Sequence, residues 1–381
     1  MIYRILVLGG YGNFGQRICK ELIKEDNVEI IIAGRSLYKA NLYANEIKAS
    51  NVSTSLVDLS VAGWQNAITS LKPDLVIHTC GPFQGQGYEV ATHCIQNSIH
   101  YLDLADGREF VCNFKRLDNL AHQHGVVAIS GASTVPALSA AVIDSLLPAF
   151  TQVESIDHGI NPGNQTPRGL ATVRSILSYC GRPFKQWRNG KWKTVYGWQG
   201  LVRRRYPAPM GSRWLGYCDI PDLELLPERY PEVKSVVFRA GLEMSVLHLG
   251  TWLFSWLTRF RIVDNWAAHA RWLKTASEWF SGLGSTRGGM HVEVTGRDKY
   301  GRRLQSRWYL LADSGDGPQV PCTSAVIMAR KFIHNERLKA GAMPCMGLFT
   351  LSEFEEALKD FDICTQIEQR LPDCHVTQLS L

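Results

Sequence analysis

The residues best suited to do chemistry in this chain lie near its N-terminus. Gly10, Gly12 and Gly15 form a G-x-G-x-x-G loop that also contains Asn13 and Phe14. An apolar run of strand length (residues 5–8) leads into the loop, and a helix-patterned stretch leads out of it. That is the context in which such a loop binds a dinucleotide. Gly10 then makes the tight turn, Gly12 lets the backbone approach a diphosphate, and Gly15 lets helix pack on strand. The anion would meet free N–H groups and the positive end of the helix dipole near Asn13. A plain glycine-rich turn is the competing reading.

The other candidates sit at strand ends. The second strand signal ends in Gly34-Arg35-Ser36, with Lys39 a helical turn further on. An NAD site places Asp or Glu there for the ribose 2′-OH, whereas a guanidinium accepts a 2′-phosphate. NADP(H) is therefore the expected cofactor, the alternative being that Arg35 is an ordinary solvated arginine. Asp58 is placed either to accept from an adenine amino group or to begin a helix with no ligand. Cys80-Gly81-Pro82-Phe83, after the fourth strand, would line the nicotinamide half of a crevice. Cys80 reads as a nucleophile or, lacking an arranged base, as a small residue packed beside the cofactor. Tyr101 and Asp103 end the fifth strand and are the candidates for catalytic proton handling, with Asp103 equally readable as a helix cap. Ser133 and Thr134, just before Pro136, offer groups that would face a substrate carboxylate.

These positions need a scaffold, and the patterning supplies one. Strand signals at 2–8, 28–33, 53–57, 75–78, 100–102 and 126–129 alternate with helical stretches at 37–48, 61–71, 88–96 and 110–124. That order predicts an α/β fold with a Rossmann doubly wound parallel sheet over residues 1–130. A helix started by Pro136 runs to 147 and makes a hinge. Residues 131–340 read as a mixed α+β substrate or dimerisation domain. Residues 341–381 read as a C-terminal helix and tail that pack back on the first domain, the last ~15 residues loosely held.

The middle of the chain is composed differently. Residues 1–150 hold 11 Lys/Arg against 13 Asp/Glu, while 151–381 hold 30 against 22 and contain ten of the eleven tryptophans. From Arg182 to Cys218 there are nine Lys/Arg and no acid, interleaved with aromatics and densest at Arg203-Arg204-Arg205. Arg203 and Arg204 are candidates for clamping a substrate carboxylate. The stretch also reads as a membrane-facing patch or a solvated surface whose aromatics pack inward. Nucleic acid is not expected, because no motif for it accompanies the charge. Residues 244–260 and 265–280 form an aromatic-rich helical hairpin, readable as core, dimer face, lipid tunnel or interfacial membrane contact. Its uncharged run, 244–258, is shorter than the ~20 residues a spanning helix needs. Residues 290–297 and 303–312 alternate with period two around Asp298–Gly301 and predict a β-hairpin. The second helical pair is expected at 324–335 and 352–360.

The 381 residues are 45% hydrophobic and 20% charged, an ordinary globular composition. Nothing at the N-terminus resembles a signal peptide. The ten cysteines show no C-x-x-C or zinc-type spacing, so free thiols in a reducing compartment are expected and no metal site is indicated. A cytoplasmic location follows, with peripheral contact at the inner membrane face as a variant.

Several of these motifs together resemble the saccharopine dehydrogenase family, in particular its uncharacterised bacterial branch. They are the 10–15 loop, Gly34-Arg35, Cys80 to Phe83, Tyr101-Leu102-Asp103 and Gly131 to Pro136. Gly289-Met290-His291-Val292, Asp316-Gly317-Pro318, Gly341-Ala342 and Cys345-x-Gly347 extend the likeness more thinly. The resemblance implies hydride exchange between NADP(H) and a C–N centre of a small-molecule substrate; a homodimer is also expected. Two alternatives stand beside it: an NADP(H)-binding protein without turnover, held to a membrane or partner through 244–280, and a reductase of a lipid-like acyl substrate.

Overall fold

The computed structural model describes residues 2–167, 169–280, 282–370 and 377–379. The chain divides into two units, Met1–Leu138 with Pro318–Phe349, and Ser139–Gly317 with Thr350–Leu381. The first boundary thus falls eight residues beyond the expected one. The chain also returns to the first unit well before residue 341.

Six strands of the first unit occur where the apolar runs predicted them: β1 (Tyr3–Leu8), β2 (Val28–Gly34), β3 (Val52–Leu56), β4 (Leu75–His78), β5 (His100–Asp103) and β6 (Val127–Ser130). A seventh, Gly341–Pro344, pairs with β6. The sheet order is 341–344, β6, β5, β4, β1, β2, β3, and every pairing is parallel. Both faces are covered, so consecutive residues such as Ile5, Leu6, Val7 and Leu8 are all buried. Strand order reverses between β1 and β4, which makes the loops after those strands the flanks of the switch point. Helix α1 (Asn13–Leu22) follows β1 and buries Ile18, Cys19 and Leu22, while α2 (Leu37–Ile47) follows β2.

The expected long helix at 110–124 is instead three short pieces, Arg108–Cys112, Phe114–Leu117 and Asp118–Gln123. Asn113 interrupts it by donating its amide Nδ2 to the Glu109 carbonyl (2.9 Å), a side-chain bond that competes with the helical ladder. The helix expected from Pro136 begins only at Ser139 and ends at Leu146. Val135 is extended (φ −130°, ψ 130°), as the residue before a proline tends to be. Helix Val320–Ile333 is longer at its start than predicted and belongs to this unit, with Arg330 Nε on Glu25 (2.7 Å).

The second unit carries an eight-stranded mixed sheet in the order 202–205, 212–217, 235–241, 152–161, 288–297, 303–312, 363–370, 377–379. Its one parallel pairing joins Gln152–Asn161 to Ser235–Gly241. The predicted hairpin is present as Gly288–Arg297 and Arg303–Ala312. Ile156, Val236, Phe238, Val292, Val294 and Trp308 fill one face. The opposite face carries Asp157, Arg239, His291, Glu293 and Arg307. A separate hairpin joins Pro183–Arg188 to Lys191–Tyr196. Part of the expected tail is strand: Ile363–Arg370 pairs along Arg303–Ala312 and with Thr377–Leu379, while 371–376 and 380–381 lie outside the described residues. The last helix, Leu351–Ala357, belongs to this unit and not to the first.

Two helices occupy the aromatic-rich region, Ser245–Arg259 and Ala270–Glu278, with the Phe254 and Trp266 rings stacked at 4.3 Å. A third helix, Leu170–Ser178, packs beside the second and was not foreseen. Among the described residues no helix is long and apolar enough to cross a membrane.

Candidate functional site

The site is built at the carboxyl ends of β1, β2 and β4. Gly9, not Gly10, takes the left-handed backbone conformation (φ +78°), so the tight turn is made one residue earlier than the motif spacing predicts. Gly10 donates to the carbonyls of Val7 and Ala33, and Gly12 to that of Gly9 (2.8 Å). A Cβ on Gly15 would lie 2.2 Å from the Gly9 carbonyl oxygen, so this position tolerates no side chain. Helix α1 starts after Gly12 with neither a side-chain cap nor an acid in its first turn. Its leading N–H groups, on Asn13, Phe14 and Gly15, are therefore available to an anion.

Tyr11 was not among the candidates, although an aromatic inside a glycine loop was a signal. Its hydroxyl accepts from the Ser36 amide (3.0 Å), and its ring lies where a Cβ on Gly34 would come within 2.7 Å. The glycine loop is thus tied directly to the end of β2. There Arg35 is exposed and, among the described residues, makes no ion pair, and β2 ends without a carboxylate. Ser36 caps α2 by accepting from the Lys39 amide (3.4 Å), and Lys39 is exposed on the first turn. Asp58 is occupied locally: Oδ1 accepts from the Ser60 amide (3.0 Å) and hydroxyl (2.7 Å), which lowers its pKa along with nearby Arg35. It does not start a helix, the next one beginning at Trp64.

The loop after β4 lies against the glycine loop. Thr79 donates its hydroxyl to the Leu8 carbonyl (2.8 Å), and a Cβ on Gly9 would fall 3.0 Å from Cys80 Sγ. Burial pushes the Cys80 thiol up to about 11, so it is not a thiolate nucleophile at neutral pH. Gln86 Nε2 holds the loop by donating to the Cys80 (2.9 Å) and Pro82 (2.7 Å) carbonyls across Gly81. Phe83 turns inward between His78 and Phe110 instead of lining an open crevice.

The proposed proton-handling pair is interior. Asp103 and Tyr101 are 0% and 1% exposed. Asp103 Oδ1 accepts from the amides of Ala105 (2.9 Å) and Gly131 (2.8 Å) and from the Ser130 hydroxyl (3.0 Å). It therefore pins the end of β5 to the end of β6. Burial raises its pKa to about 6, against those three hydrogen bonds and the nearby Tyr101 dipole. The Tyr101 hydroxyl and His78 Nδ1 share a hydrogen bond (3.0 Å), and burial depresses His78 to about 4, so that imidazole is neutral. Both groups are thus enclosed by the protein's own residues. Ser133 is likewise buried and engaged, its carbonyl accepting from the Ser324 hydroxyl (3.0 Å) and the Leu138 amide (3.3 Å). Thr134 is half-buried on the turn that follows.

Arg203 and Arg204 belong to the second unit. Arg204 is neutralised by Glu293 (2.9 Å) and Asp157 (3.5 Å), while Arg203 lies over the Trp214 ring at 5.9 Å. The basic stretch is folded into two hairpins, and several of its cations meet the unit's own acids and rings, including Arg213 on Glu243 and Arg188 over Tyr217, while Lys191, Lys193 and Arg205 are exposed. Arg204 is therefore not a free clamp.

A parallel sheet, an uncapped helix at its switch point and a cationic second-strand end define a dinucleotide-binding domain of the Rossmann type. Residues 5–131 match the family model described as "Saccharopine dehydrogenase NADP binding domain". Residues 5–131, about a third of the chain, are thus similar to the NADP-binding domain of that family. Its fold is similar to that of apo saccharopine dehydrogenase (L-Glu forming) from Saccharomyces cerevisiae, with TM-score 0.68 and 13% identity over 96% of this chain and 99% of that one. At that identity the match speaks for the fold alone. GenD2 from gentamicin A biosynthesis in complex with NAD (TM-score 0.44, 12% identity, 100% of this chain and 97% of that one) is more distant. So is biliverdin reductase in complex with biliverdin and NADP+ from Synechocystis sp. PCC 6803 (0.42, 12%, 93% and 96%). No curated protein matches the sequence.

Proposed function

We propose that the protein is an NADP(H)-dependent oxidoreductase acting on a small substrate with a C–N centre. The observation that carries the cofactor choice is Arg35, an exposed guanidinium that makes no ion pair among the described residues, at the end of a strand that carries no carboxylate of its own there. Ser36 and Lys39 would share the 2′-phosphate with it, and the α1 amides would hold the diphosphate. Bound NADPH would supply hydride from nicotinamide C4 to the carbon of a C=N bond, whose nitrogen takes a proton to give the amine. The saccharopine dehydrogenase resemblance supports the C–N assignment. The chain's own contribution is positioning, the largest part of what hydride transfer needs from a protein. The buried Asp103 staple serves it by fixing the ends of β5 and β6.

Calorimetric titration tests this reading. NADPH should bind at least about tenfold more tightly than NADH. Arg35→Ala should remove ~1.5–3 kcal/mol from NADPH binding, about 10- to 100-fold, and leave NADH unchanged. Equal affinities, or no binding of either nucleotide, would remove the proposal.

A further inference from the structure

Three helices of the second unit turn apolar faces toward a common space and leave it unfilled. Leu170–Ser178 contributes Val173, Ile176 and Leu177, the spacing of one helical face. Ser245–Arg259 contributes Leu247, Gly250 and Phe254, and Ala270–Glu278 contributes Leu273 and Ala276. The cavity between them is about 580 Å³, within the roughly 300–1,000 Å³ of small-molecule sites.

Most of the wall is apolar; Asn164, Gln165 and Thr166 stand on one side of it, and Asn164 spends its Nδ2 on the Phe280 and Leu283 carbonyls (2.7 and 2.9 Å). Thr251 donates its hydroxyl to the Leu247 carbonyl (2.9 Å) and Ser277 to that of Lys274 (2.7 Å). Among the described residues, none of the buried side-chain polar atoms without a partner belongs to the lining. A nucleotide, sugar or amino acid would lose its own hydrogen bonds on entering. The lining's one cation–anion pair, Lys274 with Glu278, is partly solvated, and the neighbouring Val246 and Trp272 side chains are more than half exposed. We infer that this cavity is a binding site for a single unbranched aliphatic chain of the fatty-acid class, its polar end left toward solvent near Lys274. The inference stands independently of the nucleotide reading.

Gly250 gives the test. A Cβ there would meet no atom within 4 Å, so Gly250→Phe fills the void without a clash at its base. It also replaces a mid-helix glycine with a better helix former. The probe is cis-parinaric acid, an 18-carbon fluorescent fatty acid, titrated into the full chain. The expected result is saturable 1:1 binding, displaced by palmitate but not by hexanoate. Gly250→Phe should weaken it by more than about tenfold, with an unchanged or higher melting temperature and unchanged NADPH titration. Leu253→Ser, on an exposed position outside the cavity, should leave it as it was. Non-saturable binding, binding indifferent to Gly250→Phe, or binding lost in Leu253→Ser would each overturn the assignment.

Discussion

Each unit sets an aspartate against its sheet, Asp103 fully buried and Asp157 half-buried, and the two are held by opposite means. In the first unit Asp103 has only neutral donors, two backbone amides and the Ser130 hydroxyl, and burial carries its pKa to about 6. In the second unit burial also works against the Asp157 carboxylate. Here His291, Arg239 (2.8 Å) and Arg204 (3.5 Å) outweigh it and hold the group well below the usual carboxylate range. The first carboxylate is a staple between strand ends, and its charge is a burden. The second is the counter-ion that lets arginines lie across a sheet face. Desolvation is similar in kind at both sites, so the neighbours' charge decides the outcome.

The largest break in this contrast should come from Asp157→Ala, which strips Arg239 of its carboxylate while Arg204 keeps Glu293. Removing one partner of a largely buried pair costs about 3–5 kcal/mol, and the partial exposure of Asp157 lowers the expectation to about 2–4. The urea midpoint measures it, and a shift worth under ~0.5 kcal/mol would show the pair to be energetically idle. Asp103 separates charge from hydrogen bonding. Asp103→Ala leaves two buried amides and a hydroxyl unanswered and should cost about 2–3 kcal/mol. Asp103→Asn keeps the acceptor, discards the charge and should stay within about 1 kcal/mol of the parent at pH 7. Were the Asn variant as damaging as the Ala variant, the charge would be needed after all.

Acid should widen the difference between the units. His78 in the first unit is depressed to about 4 by burial, so its share of stability is present above pH ~6.5 and is lost as pH falls toward 4. Asp103 runs the other way. Its folded pKa is raised, so stability is fullest below ~3.8 and declines as pH rises through about 6. The two nearly offset between pH 4 and 6. In the second unit His248 and His291 are also depressed to about 4, and Asp157, depressed as well, adds its loss below pH ~4. No raised buried carboxylate counters them among that unit's described residues. Hydrogen exchange corrected for intrinsic rates should show peptides from 288–312 losing more protection than peptides from 100–132 between pH 7 and 4.5, by about 1–2 kcal/mol. Equal loss would cancel the argument.

These two sites also mark how far the sequence could be read. The first sheet was legible because parallel strands buried on both faces are uninterrupted apolar runs, and the glycine loop and Arg35 lie within a few residues of the strands that place them. Asp103 was legible as a strand-end acid, but its burial was not, because Ser130 and Gly131 approach it from 27 and 28 residues away. The Asp157 cluster was invisible. Its ion pair with Arg239 spans 82 residues, and that of Arg204 with Glu293 spans 89, so Arg203-Arg204-Arg205 looked like a free basic patch. The helix at Leu170–Ser178 escaped because it is short and preceded by turn residues. The strand Gly341–Pro344 escaped because its partner, β6, lies more than two hundred residues earlier.

The finest distinction concerns the Ser130 hydroxyl, one of the three donors to Asp103 at 3.0 Å. With no cation nearby, this neutral donor matters most when the carboxylate is ionised. Ser130→Ala should cost about 0.5 kcal/mol at pH 4, where Asp103 is protonated, and about 1.5 kcal/mol at pH 7.5, where a bond to a charged acceptor is lost. It should also raise the Asp103 pKa further above 6, since the hydroxyl stabilises only the charged form appreciably. At the Asp157 site the loss of a single neutral donor, such as the Tyr206 hydroxyl that bonds His291 Nδ1 at 2.9 Å, should show no such growth with pH, because the arginines dominate there. Denaturation of Ser130→Ala and Tyr206→Phe across pH 4–7.5 separates the two cases. A flat penalty for Ser130→Ala would mean that Asp103 stays protonated throughout, and the two aspartates would then differ in charge state as well as in neighbours.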